Sequence, residues 1–349
     1  MAERPAKSLP HIGGLDSIRF VAALIVLLMH FDVARIPAGI WPQESIGWVV
    51  RGIVNNSING QAAVIVFFVI SGFCIHYPRV AGRKLDIFEF YASRYIRILP
   101  PMIVAAFIWV MLGSQFEDLT SSILWSLYAE LAYYTAYPVI LQWRRIWGWR
   151  WLFGISVLAS AAVIMSRPAA AQYQEHGVAL TCILGLPCWL LGCILAEQVK
   201  TKPATALPPS ARSIWTWRIL IWVLSVAASV LQFHSPVGAP ITLNIFAVAV
   251  FFWLDREILW TRAHGAVPVL EWAGLWSYSI YLMHMPIAAA ILILCRPAGA
   301  SISLANPLIV LAVLAGCYLF YRLVEDPSHR LAKAMARFIG GRRYTFKPL

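Results

Sequence analysis

LDSIRFVAALIVLLMHF, residues 15–31, is apolar over enough length to cross most of a bilayer, yet it carries Arg19 near one end and His30 near the other. Ionisable groups in a lipid-crossing helix are costly and face protein or water, so they read as functional by default. At about 100° per residue, the spacing from Arg19 to His30 makes three turns plus roughly 20°. The two side chains therefore share one face, about 16 Å apart along the axis, too far for direct contact. One stripe of one helix presents a cation near one membrane surface and an imidazole well inside. Asp16, one turn before Arg19, is placed to pair with it.

The rest of the chain has the same character. Of its 349 residues 60% are hydrophobic and only 13% charged, with a mean hydropathy of +0.71. A soluble domain carries about 25% charged residues. The expected fold is therefore all-α, a polytopic transmembrane helix bundle, because helices are the form such apolar runs take in lipid. The 16 Trp and 13 Tyr suit interfacial belts. A net charge of +12 raises nucleic acid as a partner, but the basic residues sit in short loops between apolar runs, as orientation signals do. They can also meet anionic lipid or a polyanionic substrate. The six cysteines fall inside apolar runs without a CxxC, so they read as packing residues, with no disulfide framework and no metal site expected. The polar start MAERPAKSLPHIGG has no signal-peptide pattern, which makes the first apolar run a retained span.

Ten spans are expected, near 15–34, 60–77, 95–113, 121–141, 151–166, 178–197, 214–233, 240–255, 270–294 and 304–324. An even count puts both termini on one side. With that side cytoplasmic, inside segments hold 23 Lys and Arg and outside loops hold 4, the asymmetry of the positive-inside rule. The outer loop 35–59, rich in Gly, Pro and Trp, reads as a partly ordered lid. Residues 79–97 alternate basic and aromatic side chains like an interfacial amphipathic helix. The domain reading is a transmembrane unit over 1–326 and a basic cytoplasmic tail over 327–349, lying on the inner leaflet. No internal repeat is visible, which counts against the inverted-repeat transporters.

Several residues carry possible chemistry. Arg94 and Arg97, three apart at the inner start of a span, share a face and can grip phosphate. They can equally snorkel to lipid phosphates. Glu130, about ten residues into its span, needs a partner: it either orients a histidine or arginine, or belongs to a structural ion pair. His284 is a second intramembrane histidine, read as a hydrogen-bonded core residue or a substrate-pocket wall. Ser71-Gly72 in FFVISGF can simply allow close helix packing, and Ser71 lacks the nucleophile-elbow pattern. GxxxxGK[ST], HExxH and GxGxxG are all missing, and the remaining histidines are scattered.

Taken together, these residues resemble the acyltransferase-3 family of bacterial membrane O-acyltransferases, nearly end to end. The phrases that carry the resemblance are Arg19 to His30, FFVISGFCI (67–75), SRYIRILPP (93–101), LWSLYAELAYYTAYP (124–138), YSIYLMHMPI (278–287) and VEDPSHRL (324–331), in the family's order. One departure is that Leu131 and Ala132 follow Glu130 where the family often has Glu-x-Phe-Tyr, which weakens a two-carboxylate scheme. The hydrolase-like domain fused to some members is missing, so the resemblance implies a stand-alone form acting alone or with glycan-assembly partners.

The resemblance implies transfer of an acyl group, acetyl or else succinyl, from cytoplasmic acyl-CoA to a hydroxyl of a cell-envelope or secreted glycan or glycolipid, at the bacterial inner membrane. Acyl-CoA is a co-substrate; no bound cofactor and no metal are implied. In this reading His30 and Glu130 are the catalytic pair, with His30 as general base, a role that requires the neutral imidazole. Arg19, Arg94 and Arg97 hold the acyl-CoA. Ser71, Trp125, Tyr133 and His284 border the acceptor pocket. Two other classes fit the same residues. One is a proton-coupled glycolipid transporter or flippase. The other is a non-catalytic member of a glycan-assembly complex.

Overall fold

The computed structural model describes residues 12–37, 39–40, 45–115, 123–203, 206–295 and 303–345, with side chains as far as 339. Expectations that rest on Arg4, Lys7, Trp41, Pro42, Arg296 and Lys347 lie outside the described residues. Every regular element among the described residues is helical: α1 Leu15–His30, α2 Ile46–Asn55, α3 Gly60–Val80, α4 Ile87–Met111, α5 Trp125–Ser166, α6 Val178–Thr201, α7 Ala211–His234, α8 Ala239–His264, α9 Pro268–Gly274, α10 Ser277–Cys295, α11 Pro307–Phe320 and α12 Asp326–Thr345. The expected all-α bundle is the observed one.

Local sequence explains where the helices begin. Asn59 Oδ1 accepts the amide of Ala62 to start α3, and Asp86 Oδ1 accepts that of Glu89 to start α4. Ser210 and Asn306 do the same for α7 and α11. Residue 14, before α1, is a glycine with φ 90°, which has no side chain with which to cap the helix. The missing cap comes from α9: Glu271 Oε1 accepts from Gly14 N (3.0 Å), Ser17 N (2.9 Å) and Ser17 Oγ (2.6 Å).

Seven helical stretches are long and apolar enough to cross a membrane: Ile46–Val80, Ile87–Met111, Trp125–Ser166, Val178–Thr201, Ala211–His234, Ser277–Cys295 and Pro307–Ile339. The ten apolar runs map onto helices among the described residues, but three are not separate members of the seven: the run of α8, that of α1 and one of the two in α5. Two runs lie in α5, which is divided only by Gly148 at φ 74°. α1 is 16 residues, about 24 Å, short of a hydrocarbon core of about 30 Å. The segment expected to be amphipathic, 79–97, is instead the end of α3, a six-residue turn and the start of α4, which runs unbroken to Met111 through Pro100 and Pro101. The expected basic tail begins in α12, which lies along α4 and forms part of the interior wall described below.

α3 is the central post, packed against α1, α6 and α8. It touches α6 at backbone level. A Cβ on Gly72 would stand 2.0 Å from the Trp189 carbonyl oxygen, and one on Gly192 would stand 2.0 Å from that of Val69. Small residues are what permit such approach between membrane helices. The two acids on α8 are paired inside the bundle: Asp255 with Lys202 and Glu257 with Arg218, both carboxylates buried. Outward faces carry Trp143, Trp147, Trp151, Trp215 and Trp222, an exposed aromatic surface suited to lipid and its interface. Because each clash is with backbone, Gly72→Ala and Gly192→Ala should each destabilise the fold by about 1–3 kcal/mol. A lowered thermal midpoint of the detergent-purified protein checks this; an unchanged one refutes the close approach.

Candidate active site

Two of the sequence-selected histidines meet. His284 Nε2 lies 3.2 Å from His30 Nδ1, with ring centroids 4.9 Å apart. Each Nδ1 also faces the carbonyl one turn back on its own helix: Val26 O at 2.9 Å for His30 and Ile280 O at 2.9 Å for His284. A carbonyl only accepts, so both Nδ1 atoms carry hydrogen in these hydrogen bonds. In the neutral ring this leaves His284 Nε2 as an acceptor, which takes a share of the His30 Nδ1–H. His30 is left with its Nε2 lone pair outward from the pair. His284 is fully buried and His30 half-buried. An imidazole with a fixed Nδ1–H and a free Nε2 lone pair can take up a proton.

A cavity of about 870 Å³ occupies the Arg19 end of the bundle. Arg19, Ser71, Arg94, Arg97, Glu130 and Tyr134 all line it. α12 contributes His329, Lys333 and Arg337. Arg19 is held on both sides, donating to Asp16 Oδ1 (2.8 Å) and Cys74 Sγ (3.1 Å). Arg94 and Arg97 have no carboxylate within ion-pair distance among the described residues, and the buried Nε of Arg94 has no hydrogen-bond partner. Two half-buried guanidiniums without counter-ions on a cavity wall are suited to an anionic ligand.

Glu130 stands at the centre of a polar knot. It accepts from Ser71 Oγ (2.6 Å) and from Tyr134, while Ser71 Oγ accepts from Trp189 Nε1 (3.3 Å). Its hydrogen bonds among the described residues go to hydroxyls, not to His30. Ser71 lies beside Gly72, so the α3–α6 contact fixes its position. Trp125 and Tyr133 are placed in the aromatic core and not on the cavity: Trp125 stacks on Tyr173, and Tyr133 donates to Cys182 O at 2.8 Å. Of the four residues expected around an acceptor, Ser71 therefore lines the cavity, His284 joins His30, and two pack the core.

The histidine pair and the cavity are neighbours. Tyr281 lines the cavity and pairs with Ser126 at 2.6 Å; His284 follows it by three positions on α10, about one turn further. Sequence reasoning missed Tyr134, although it stands one turn after Glu130 and carried the signal of an i, i+4 pair. It also missed the cavity role of α12, where the basic residues recur every fourth position. Among the described residues no group of three or more His, Cys, Asp or Glu side chains is placed to hold a metal ion.

The family model described as an acyltransferase domain, that of the acyltransferase-3 family, matches residues 12–322. Acyltransferase MdmB of Streptomyces mycarofaciens is 23% identical, with 91% of each chain covered. Nodulation protein 10 of Rhizobium leguminosarum bv. viciae is 22% identical, over 93% of this chain and 95% of its own. No solved structure matches. A helical bundle with apolar membrane-length helices, a cation-lined cavity and a histidine pair one turn beyond it thus belongs, by a match over nearly its whole length, to the acyltransferase-3 family of membrane acyltransferases.

Proposed function

We propose that the protein transfers an acyl group, acetyl in the first instance, from acyl-CoA to a hydroxyl of a cell-envelope or secreted glycan or glycolipid. The site is the bacterial inner membrane, with both termini cytoplasmic. The observation that carries this reading is the ordering of the site: unpaired guanidiniums on the cavity wall, then a histidine pair one helical turn past its end. A thioester donor with a polyanionic head and a long neutral arm matches that order. Its phosphates lie against Arg94 and Arg97, with Arg19 adding positive potential while paired to Asp16. Its arm runs towards α10.

In the chemical step the acceptor oxygen attacks the thioester carbonyl. His30 Nε2 takes the hydroxyl proton as the C–O bond forms, the C–S bond breaks, and the departing thiolate takes that proton from the imidazolium, which returns His30 to its neutral form. His284 holds the His30 ring by accepting from Nδ1–H, which steadies the imidazolium as it forms. Glu130 acts one layer back, fixing Ser71 and Tyr134 at the cavity wall. Transfer to an outward-facing acceptor also fits the direction of α1, with Arg19 towards the cytoplasm and His30 in the outer half.

The test is transfer of labelled acetyl from acetyl-CoA to extracted envelope glycan by purified protein in liposomes. His30→Ala should lower turnover by about 10²-fold or more while insertion and melting stay intact. His284→Ala should cost less, about tenfold in kcat, because it removes an orienting partner and leaves the base. Full transfer by His30→Ala would overturn the base assignment, and transport of glycolipid without acylation would overturn the enzyme reading. Arg94→Ala and Arg97→Ala should raise the KM for acyl-CoA more than that for acceptor. An unchanged donor KM returns both arginines to lipid anchoring.

A further inference from the structure

One wall of the cavity carries a ladder that the reading above does not use. Glu325, His329, Lys333 and Arg337 are spaced four apart from the end of α11 into α12, and all four line the cavity. This spacing stacks them on one face over about 18 Å. The ladder starts in a π-turn, Tyr321–Glu325, of the kind that often marks functional positions in helices.

Its first two rungs are unusual. The Glu325 side chain is 1% exposed. Its Oε2 is fully engaged by Ser279, which donates from both its backbone N–H and its Oγ. Its Oε1 has no hydrogen-bond partner, and neither has the buried Nε2 of His329. These two atoms face each other at 3.7 Å, beyond hydrogen-bond length. The other acids on the cavity wall are satisfied: Asp16 by Arg19, Glu89 by Arg83, Glu130 by Ser71 and Tyr134, and Asp326 by Arg330. Buried polar atoms without partners are exceptions that call for an unseen one. A single oxygen can stand about 2.8 Å from both atoms at once. It must donate to the carboxylate and accept from an imidazole N–H, which is the hydrogen-bonding pattern of a hydroxyl.

We propose that Glu325 and His329 form a hydroxyl subsite in this cavity, which holds a hydroxyl of the acyl donor lying between its phosphates and its thioester. The inference rests on the donor reading above. The order along the wall supports it. Glu325 is tied to Ser279, five residues before His284 on α10, while Lys333 and Arg337 lie successively farther along α12. Passing along α12 towards the histidine pair, a ligand meets Arg337 and Lys333, then the His329–Glu325 pair with Arg97 close to both, then His284. A CoA thioester presents phosphates, a hydroxyl-bearing neutral arm and the reacting carbonyl in that sequence. Ribose carries hydroxyls too, but it lies on the other side of the diphosphate from the thioester, so a donor without phosphate or ribose tells the two apart.

Glu325→Gln, His329→Phe and Lys333→Gln are compared with wild type in liposomes, with thiol release in the presence of envelope glycan as the assay. Three donors are used: acetyl-CoA; acetyl-pantetheine, which keeps the arm hydroxyl but has no phosphate; and acetyl-N-acetylcysteamine, which has neither. Glu325→Gln and His329→Phe should lower kcat/KM for acetyl-CoA and acetyl-pantetheine about tenfold and leave acetyl-N-acetylcysteamine unchanged. Lys333→Gln should affect acetyl-CoA alone. Loss confined to acetyl-CoA in all three variants overturns the subsite as stated, because it places the contact at the phosphates or the ribose beyond them. Equal losses with all three donors, or no loss with acetyl-CoA in folded variants, overturn the subsite. Should His329→Phe fail to fold, His329→Gln replaces it under the same criteria. If wild type uses none of the donors, the donor reading falls and this subsite with it; wild-type turnover with unaffected variants defeats the subsite alone.

Discussion

The backbone contact between α3 and α6 at Gly72 and Gly192 is the constraint on which the rest of the interior depends. With carbonyl oxygens where side chains would stand, the two helices have little freedom to slide or rotate against each other. That contact places Ser71 beside Trp189, and Ser71 in turn meets the Glu130 carboxylate of α5. A carboxylate inside a bundle is tolerable only with such partners. Three helices are thus locked by one packing contact and one polar knot, and the cavity opens along the surface that α3 and α5 share with α1, α4, α10 and α12.

α1 is fixed by different means. Glu271 satisfies the amides at its start, and a Cβ on Gly274 would strike the Asp16 carbonyl oxygen at 2.1 Å, so α9 lies directly on its first turn. At its far end, Met29 and His30 meet the start of α3 and the middle of α10. A short helix held at both ends presents Arg19 to the cavity and His30 to His284 without needing an apolar length that spans the bilayer.

Much of this was legible in the sequence because it is local. The Arg19–His30 spacing gives a shared helix face, the apolar runs give helices, and the position of Glu130 inside its run demands partners. What escaped was set by distance along the chain or by exchange of roles between elements. His284 alone reads equally as a core residue; only the fold brings it to His30. Trp125 and Tyr133 have the composition of a sugar-binding wall, yet packing takes both into the core. Residues after 326 look like a solvated basic tail because their charges are frequent, whereas a period of four puts one charged stripe inward against α4. Gly148 shows the same limit on a smaller scale: one left-handed residue decides whether two apolar runs are read as one helix or two.

The Glu271 cap has a consequence for the order in which the molecule is made. Ser17 and Glu271 are 254 residues apart, and so are His30 and His284. A chain synthesised from its N-terminus exposes α1 long before α9 and α10 exist. Until then the first turn of α1 lacks the Glu271 cap for its amides, and its histidine has only the Val26 carbonyl of its own helix as acceptor. Closing contacts of such long range carries a large loop-entropy cost and comes late. The first helix to emerge is therefore among the last to be completed, and the His30–His284 pair is assembled only when nearly the whole bundle is in place.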